Sequence, residues 1–285
     1  MRAVKTTVLL TALTLLLIFV GQRLAGNGGM LIALAFAVVM NASAYFLSDK
    51  IALASSGAKP VTREEAPRLY AVMERLCGKS GIPMPKLYVI PEQAPNAFAT
   101  GRNPSHASVA ATAGLLQLLD DEELEGVIAH ELSHVRNYDI LTSSIAAMLA
   151  GAIFVLARMG EFAMIFGGYG GGSRDSRRGS ALTMLLLIIV APLAALILQL
   201  GISRQREYSA DASGANLVGH PEGLIRALQK LGAYNKRIPS NMPQTTSALC
   251  IVAPLSPREL TSGLFSTHPA LEDRIAQLRN MIITR

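Results

Sequence analysis

The chain has 285 residues, of which 51% are hydrophobic and 16% charged, and 26 lysines and arginines against 20 acids give a net charge of +6. That balance excludes a disordered chain, which needs low hydrophobicity and high charge. It also falls short of the roughly 25% charged residues of soluble domains, so part of the surface is expected to face lipid. No basic cluster with interleaved aromatics is present, which sets nucleic acid aside. Cys77 and Cys250, the only cysteines, lie too far apart in the chain for a disulfide framework and fit a reducing compartment.

Four apolar stretches are free of charge: Thr6–Gln22, Leu24–Ser48, Ile140–Ala157 and Gly179–Ser203. A helix crosses a hydrocarbon core of about 30 Å with roughly 20 apolar residues. The second and fourth stretches meet that length, and the first and third are near its lower limit. Arg2 and Lys5 ahead of the first stretch are also how a signal peptide begins. The following Arg23-Leu24-Ala25-Gly26 is a poor cleavage site, however, and a second apolar run follows at once. A retained helical hairpin turning at Gln22–Gly29 is therefore expected. The third stretch holds Thr142, Ser143, Ser144 and Gly151, and a buried helix of a soluble core is its alternative. Pro192 kinks the fourth without excluding a membrane helix.

Lysines and arginines flank the stretches on one side: Arg2, Lys5, Lys50, Lys59, Arg63, Arg136, Arg204 and Arg206, against Arg23 alone in the first turn. This puts both termini and both polar segments in the cytoplasm. The Gly-rich connection carrying Arg158, Arg174, Arg177 and Arg178 runs against that assignment.

In residues 49–139, Thr62 as N-cap and Glu65 three residues on form a capping box, which predicts a helix over Arg63–Lys79 ending at Gly81. Strand-like pieces follow at Lys86–Ile90, Ala97–Thr100 and Ala107–Ala111, separated by Pro91, Pro95, Gly101 and Pro104. They predict a small antiparallel sheet. A second helix opens at Asp120 or Asp121, acids suited to a helix N-terminus, and runs through Glu122–Arg136. Residues 204–285 predict helices at Gln205–Val218, Glu222–Tyr234 and Ala270–Ile283, with Pro239–Pro257 as a loop. The expected fold is mainly α: a polytopic membrane protein with four transmembrane helices. Its parts are a hairpin over 1–48, a polar segment over 49–139, a second hairpin over 140–203 and a helical segment over 204–285. The two polar segments pack into one domain.

Inside the second polar helix lies His130-Glu131-Leu132-Ser133-His134. Histidines four apart share one face of a helix, so both imidazoles can reach one Zn²⁺ at about 2.0–2.1 Å. Glu131 is rotated about 100° around the helix, where it borders the metal and can take a proton from its water. Exposed helix histidines are the bland alternative. Catalytic zinc takes three protein ligands, and the extended motif with a third histidine fails, because Asn137 and Ile140 stand where its Gly and His would be. Glu207 and Asp211, four apart on one helical face, are the best distant pair. Glu207 would ligate zinc, and Asp211 would fix the ring of a ligand histidine. Their alternative is a solvated acidic face paired with Arg204 and Arg206. One metal shared by His134 and Glu207 requires an even number of crossings between them, as a hairpin provides.

The pentapeptide, the distant Glu207 and Asp211, Pro95-Asn96-Ala97-Phe98-Ala99-Thr100-Gly101, Ser266-Thr267-His268-Pro269 and the placing of the apolar stretches match together. Over nearly its whole length the chain resembles the HtpX membrane zinc metalloproteases, relatives of the CAAX prenyl endopeptidases. The resemblance implies a gluzincin-like α+β catalytic domain with a small sheet, on the cytoplasmic side of a bacterial inner membrane. It implies endoproteolysis of misfolded or damaged membrane proteins, and self-cleavage. It implies one Zn²⁺ per chain on His130, His134 and Glu207, with Glu131 as catalytic acid/base. His268 would stabilise the oxyanion, and Asn96 would sit on a strand to which extended substrate adds. A turn Asn after Pro95 and a loop His before Pro269 are the alternatives for those two. Asp139 reads first as a cap at the membrane entry, with a place behind a ligand as its alternative, and His106 and His220 receive no role. The partners implied are protein substrates and the lipid bilayer, with no nucleic acid, and the oligomeric state stays open. Two rival functions are a non-catalytic zinc-containing scaffold or holdase and a prenyl-protein endopeptidase.

Overall fold

The computed structural model describes residues 2–146, 204–235, 246, 249–252 and 269–283. The fourth apolar stretch, most of the third, most of the Pro239–Pro257 loop and His268 lie outside the described residues.

Helix α1 (Arg2–Ser55) folds back on itself. Asn41 Nδ2 donates to Thr14 Oγ1 at 2.8 Å, although the 27 residues between them would span about 40 Å in a straight helix. Gly26, with φ at 58°, takes the left-handed conformation that reverses the chain. The arms then meet so closely that a Cβ on Gly21 would lie 2.4 Å from the Gly29 carbonyl oxygen. Among the described residues one stretch, Gly26–Ser55, is long and apolar enough to cross a membrane. Its Leu31, Ile32, Val38 and Val39 are 59–73% exposed, the outward face of a helix with apolar surroundings.

Helix α2 (Pro67–Ser80) opens four residues later than the capping box predicts. Glu65 does accept the Thr62 N–H at 2.8 Å. Pro67 at the first helical position holds Ala66 outside the helical region, at φ −136° and ψ 59°. The helix stops at Gly81 as expected.

The sheet is mixed, not antiparallel. Its strands are β1 (Lys59–Pro60), β2 (Lys86–Ile90), β3 (Ala97–Gly101) and β4 (Ala107–Thr112), in the order β1-β2-β4-β3. From β2 the chain passes to the far edge, forms β3, and returns as β4 in the gap between them. So β4 runs antiparallel to β3 but parallel to β2. Every residue of β3 and β4 is buried, which removes the in–out alternation that marks a half-exposed strand. Thr112 ends β4 and caps the short α3 (Ala113–Leu118), its Oγ1 accepting from Leu115 N at 3.1 Å.

Helix α4 (Asp121–Arg136) has a full capping box: Asp120 Oδ1 accepts from Glu123 N and Glu123 Oε2 from Asp120 N, both at 2.9 Å. Glu123 is buried and also takes Lys230 Nζ at 2.6 Å. From Glu123 to Val135 α4 is buried on nearly every side. It is surrounded by α2, β3, α5 (Arg204–Val218) and α6 (Glu222–Asn235), while α7 (Leu271–Arg279) packs on α5 and α6. The main core gathers Met73, Leu76, Val109, Leu115, Leu124, Ile128, Leu132 and Leu228. A smaller cluster of Leu53, Ile90, Phe98 and Ala110 joins the end of α1 to the sheet. Residues 139–146, the start of the third apolar stretch, are helical. They pack on β3, where the buried hydroxyls of Ser144 and Thr100 lie 2.7 Å apart.

Candidate metal centre

His130 and His134 stand one turn apart on α4, with ring centroids 4.8 Å apart and planes at 90°. Helix α5 lies against them because Gly214 has no side chain: a Cβ there would come within 2.9 Å of His130 N. That close approach delivers Glu207. Its Oε2 lies 3.7 Å from His130 Nε2 and its Oε1 lies 3.6 Å from His134 Nε2. One donor atom from each of the three residues can be chosen so that all lie within 4.8 Å of one another.

These spacings are too long for hydrogen bonds and suit three donors around one ion. Two bonds of about 2.0–2.1 Å at a tetrahedral angle separate their donors by roughly 3.4 Å. His130 Nε2 is buried and has no hydrogen-bond partner among the described residues, which a metal ligand would remedy. Two imidazole nitrogens and a carboxylate are a zinc donor set, so the residues present fit the ion.

Each histidine has a carboxylate behind it. His130 Nδ1 donates to Asp211 Oδ1 at 2.8 Å, which turns the Nε2 lone pair toward Glu207. Burial pulls the His130 pKa down against the pull of Asp211, so the ring is neutral, as a ligand must be. Behind His134 is Asp139, its Oδ2 at 3.5 Å from Nδ1. Tyr138, the one non-glycine residue with positive φ among those described, turns the chain so that Asp139 comes back under His134. Burial opposes the charged form of His134, yet Asp139, Glu207 and Glu131 together raise its pKa.

Glu131 is buried beside the histidines. Burial pushes its carboxyl up to about 8, against the lowering pull of His134, while Glu207 adds to the rise and the Ala99 backbone N–H opposes it. The cavity that His130, Glu131, His134 and Glu207 share is about 30 Å³, room for an ion and its water. Leu249, Cys250 and Ile251 complete its wall.

Asn96, expected on the substrate strand, sits just before β3 and is buried. Its Nδ2 donates to the Val252 carbonyl at 2.8 Å and its Oδ1 accepts from Ala97 N at 3.0 Å. Beside it Ile251 N donates to the Ala97 carbonyl at 3.0 Å, on the free edge of β3. His268 lies outside the described residues.

The sequence reading overlooked Arg274. It is fully buried, and its Nε and Nη2 fork onto Asp211 Oδ2 and Oδ1 at 2.8 and 2.6 Å. Its Nη1 donates to the Ile251 carbonyl at 2.8 Å. Burial would raise the Asp211 carboxyl, but Arg274 and His130 hold it below its usual range. The signal was present in α7: Leu271, Arg274, Ile275 and Leu278 form one stripe at helical spacing, and a charge on an apolar stripe needs a buried partner.

The profile of Peptidase family M48 matches residues 63–282. The chain is 54% identical over 275 residues to a Protease HtpX homolog of Desulfatibacillum aliphaticivorans, covering 96% of this chain and 88% of that one. It is 50% identical over 284 residues to a Protease HtpX homolog of Syntrophotalea carbinolica, covering 99% and 100%. The crystal structure of S. mikatae Ste24p aligns with a TM-score of 0.53 at 21% identity, over 97% of this chain and 65% of that one. That last match is a likeness of fold, and the chain spans just under two thirds of the length of Ste24p.

Proposed function

The chain belongs to peptidase family M48 and is a metalloprotease, and from that premise we propose that it is a membrane-embedded zinc endopeptidase that cleaves misfolded or damaged membrane proteins. One observation carries the reading: donor atoms of His130, His134 and Glu207, brought from two helices far apart in the chain, lie within 4.8 Å of one another. In this reading those three residues hold one Zn²⁺ per chain. A zinc ion held there supplies Lewis acidity, acidifying water and polarising a carbonyl oxygen.

The chain's own groups do the rest. The Glu131 carboxylate accepts the proton of the attacking water and hands it to the departing amine nitrogen. Its place beside His130 and His134, buried from bulk water, suits a group that must hold a proton and return it. Asp211 keeps His130 in the tautomer that leaves Nε2 facing the ion. His268 donates to the developing oxyanion. An extended substrate segment pairs with β3, an edge strand of the sheet among the described residues, beyond the Ala97 carbonyl that Ile251 occupies, and Asn96 shapes the start of that edge.

The four apolar stretches are the crossings, two in 1–48 and two in 140–203. The polar segments 49–139 and 204–285 and both termini face the cytoplasm of a bacterium, and the chain cleaves itself. The outward apolar face of α1, the basic Lys50 near its end and Lys59 and Arg63 after it support this orientation. The deciding experiment compares wild type with Glu131→Gln, by elemental zinc content and by cleavage of an unfolded protein such as casein. The variant is expected to keep stoichiometric zinc and lose cleavage. Normal turnover by that variant would remove Glu131 from its role.

A further inference from the structure

A second cleft lies on the opposite end of the sheet from Asn96, where α1 meets the start of β2 and β4 and the end of β3. Its charged and polar lining is Asp49, Lys50, Lys86, Arg102, Ser105 and His106. The level of this cleft follows from α1. The twenty residues from Gly29 to Ser48 rise about 30 Å, the thickness of a hydrocarbon core. The outward apolar side chains run through Phe46 and Leu47, 56% and 41% exposed, to Ile51, 41% exposed, and the first charges, Asp49 and Lys50, fall between them. With α1 in a bilayer, Lys50 and the cleft behind it stand at the headgroups. Met84, 40% exposed on the same rim, offers an apolar side chain to the acyl boundary.

Several cations of the polar segments are paired with carboxylates. Arg68 pairs with Asp121, Arg75 with Glu125, Arg226 with Glu122, Lys230 with Glu123 and Arg274 with Asp211. Among the described residues Lys50, Lys86 and Arg102 have no carboxylate within ion-pair distance, even though Asp49 shares their cleft. Arg102 is held by another contact, its guanidinium 5.9 Å from the centroid of the Phe46 ring. So one cation stands over the last outward aromatic of α1, and two lysines without ion pairs line the same cleft. The Ser105 side chain adds a hydroxyl donor. Three unneutralised cations around a concave polar site at headgroup depth are complementary to a phosphodiester.

We propose that this cleft binds the phosphate of an anionic phospholipid in the leaflet that faces the polar segments. The proposal rests on α1 lying in the bilayer and makes no use of the metal centre. A bound lipid would fix the sheet against the end of α1 and so set the height of the domain above the membrane.

The test uses the full chain in detergent and native mass spectrometry, with phosphatidylglycerol and phosphatidylcholine of matched acyl chains. Phosphatidylglycerol is expected to be retained in preference. The combined Lys50→Ala, Lys86→Ala, Arg102→Ala variant is expected to lower that retention at least about tenfold, given the contribution of each cation near an anionic headgroup. Asp49→Asn is expected to raise it, a change of sign that misfolding would not produce. Equal retention by wild type and the combined variant, or no preference for the anionic lipid, would overturn the proposal. So would displacement of the lipid by inorganic phosphate alone at millimolar concentration, because the site would then be one for free phosphate. No hydrolysis enters the readout, so its failure and failure of the peptidase reading are distinguishable.

Discussion

Arg274 grips Asp211 through two parallel hydrogen bonds of 2.8 and 2.6 Å, with neither residue reaching solvent. Asp211 in turn accepts from His130 Nδ1, so the orientation of a candidate ligand on α4 is set by a residue on α7. Removing one partner of a buried pair leaves an uncompensated charge and costs about 3–5 kcal/mol. Arg274→Ala is therefore expected to lower thermal stability markedly. Arg274→Lys keeps the charge but loses the planar fork. It is expected to fold and to bind zinc roughly 10–100-fold more weakly, as read by competition with a chelator. Unchanged zinc affinity in the lysine variant would reduce Arg274 to a packing residue.

Glu207 is the candidate donor that α5 brings to the two histidines. Glu207→Ala is expected to lose stoichiometric zinc while α4 and its two histidines stay in place. Elemental analysis beside far-UV circular dichroism checks this. Stoichiometric zinc in that variant would require another ligand.

Gly214 lets α5 reach α4, since a Cβ there would lie 2.9 Å from His130 N and 3.1 Å from Ala129 C. These are backbone atoms that cannot rotate away, so Gly214→Ala must push the helices apart, at a cost of about 1–3 kcal/mol. The expected result is a lower melting temperature together with weaker zinc binding, although no donor has been altered. A fall in melting temperature with zinc affinity intact would show that the shift spares Glu207.

Asp120 caps α4, the helix that carries both histidines. Its carboxylate accepts the Glu123 N–H, and that bond lowers its pKa. A carboxyl with a depressed folded-state pKa contributes stability above its unfolded value of about 3.9, and this is lost as pH falls through the folded value. Asp120→Ala is expected to cost about 1 kcal/mol at neutral pH. Asp120→Asn keeps a capping oxygen without titrating, so its stability is expected to fall less than that of wild type between neutral pH and pH 3. Thermal melts across that range, followed by circular dichroism, compare the three.

The local features of the site were legible in the order of residues. A helix brings His130 and His134 to one face whatever surrounds it, because the spacing is an intrinsic property of 3.6 residues per turn. Glu207 and Asp211 show the same spacing, and a catalytic zinc site still lacking a ligand pointed to them. The Asp120–Glu123 cap and the chain reversal near Gly26 rest on equally local rules. The late start of α2 did too, for Pro67 was visible, but the Thr62–Glu65 pair gave a competing start signal.

What lay beyond local rules was pairing between distant segments. Nothing in Lys86–Ile90 or Ala107–Thr112 says that β4 slots between β2 and β3, since strand order depends on what covers each face, and here both faces of β3 and β4 are buried. For Asp139 the sequence allowed either a helix cap or a place behind a ligand, and the chain turn at Tyr138, with its positive φ, brings it beneath His134. Arg274 and Asp211 are 63 residues apart, and only packing selects that acid for that base. The amino-acid order alone singled out the candidate metal ligands, because helix periodicity is local. Which carboxylates and cations orient those residues was decided by tertiary packing, because burial leaves a charge no stable place except beside its partner.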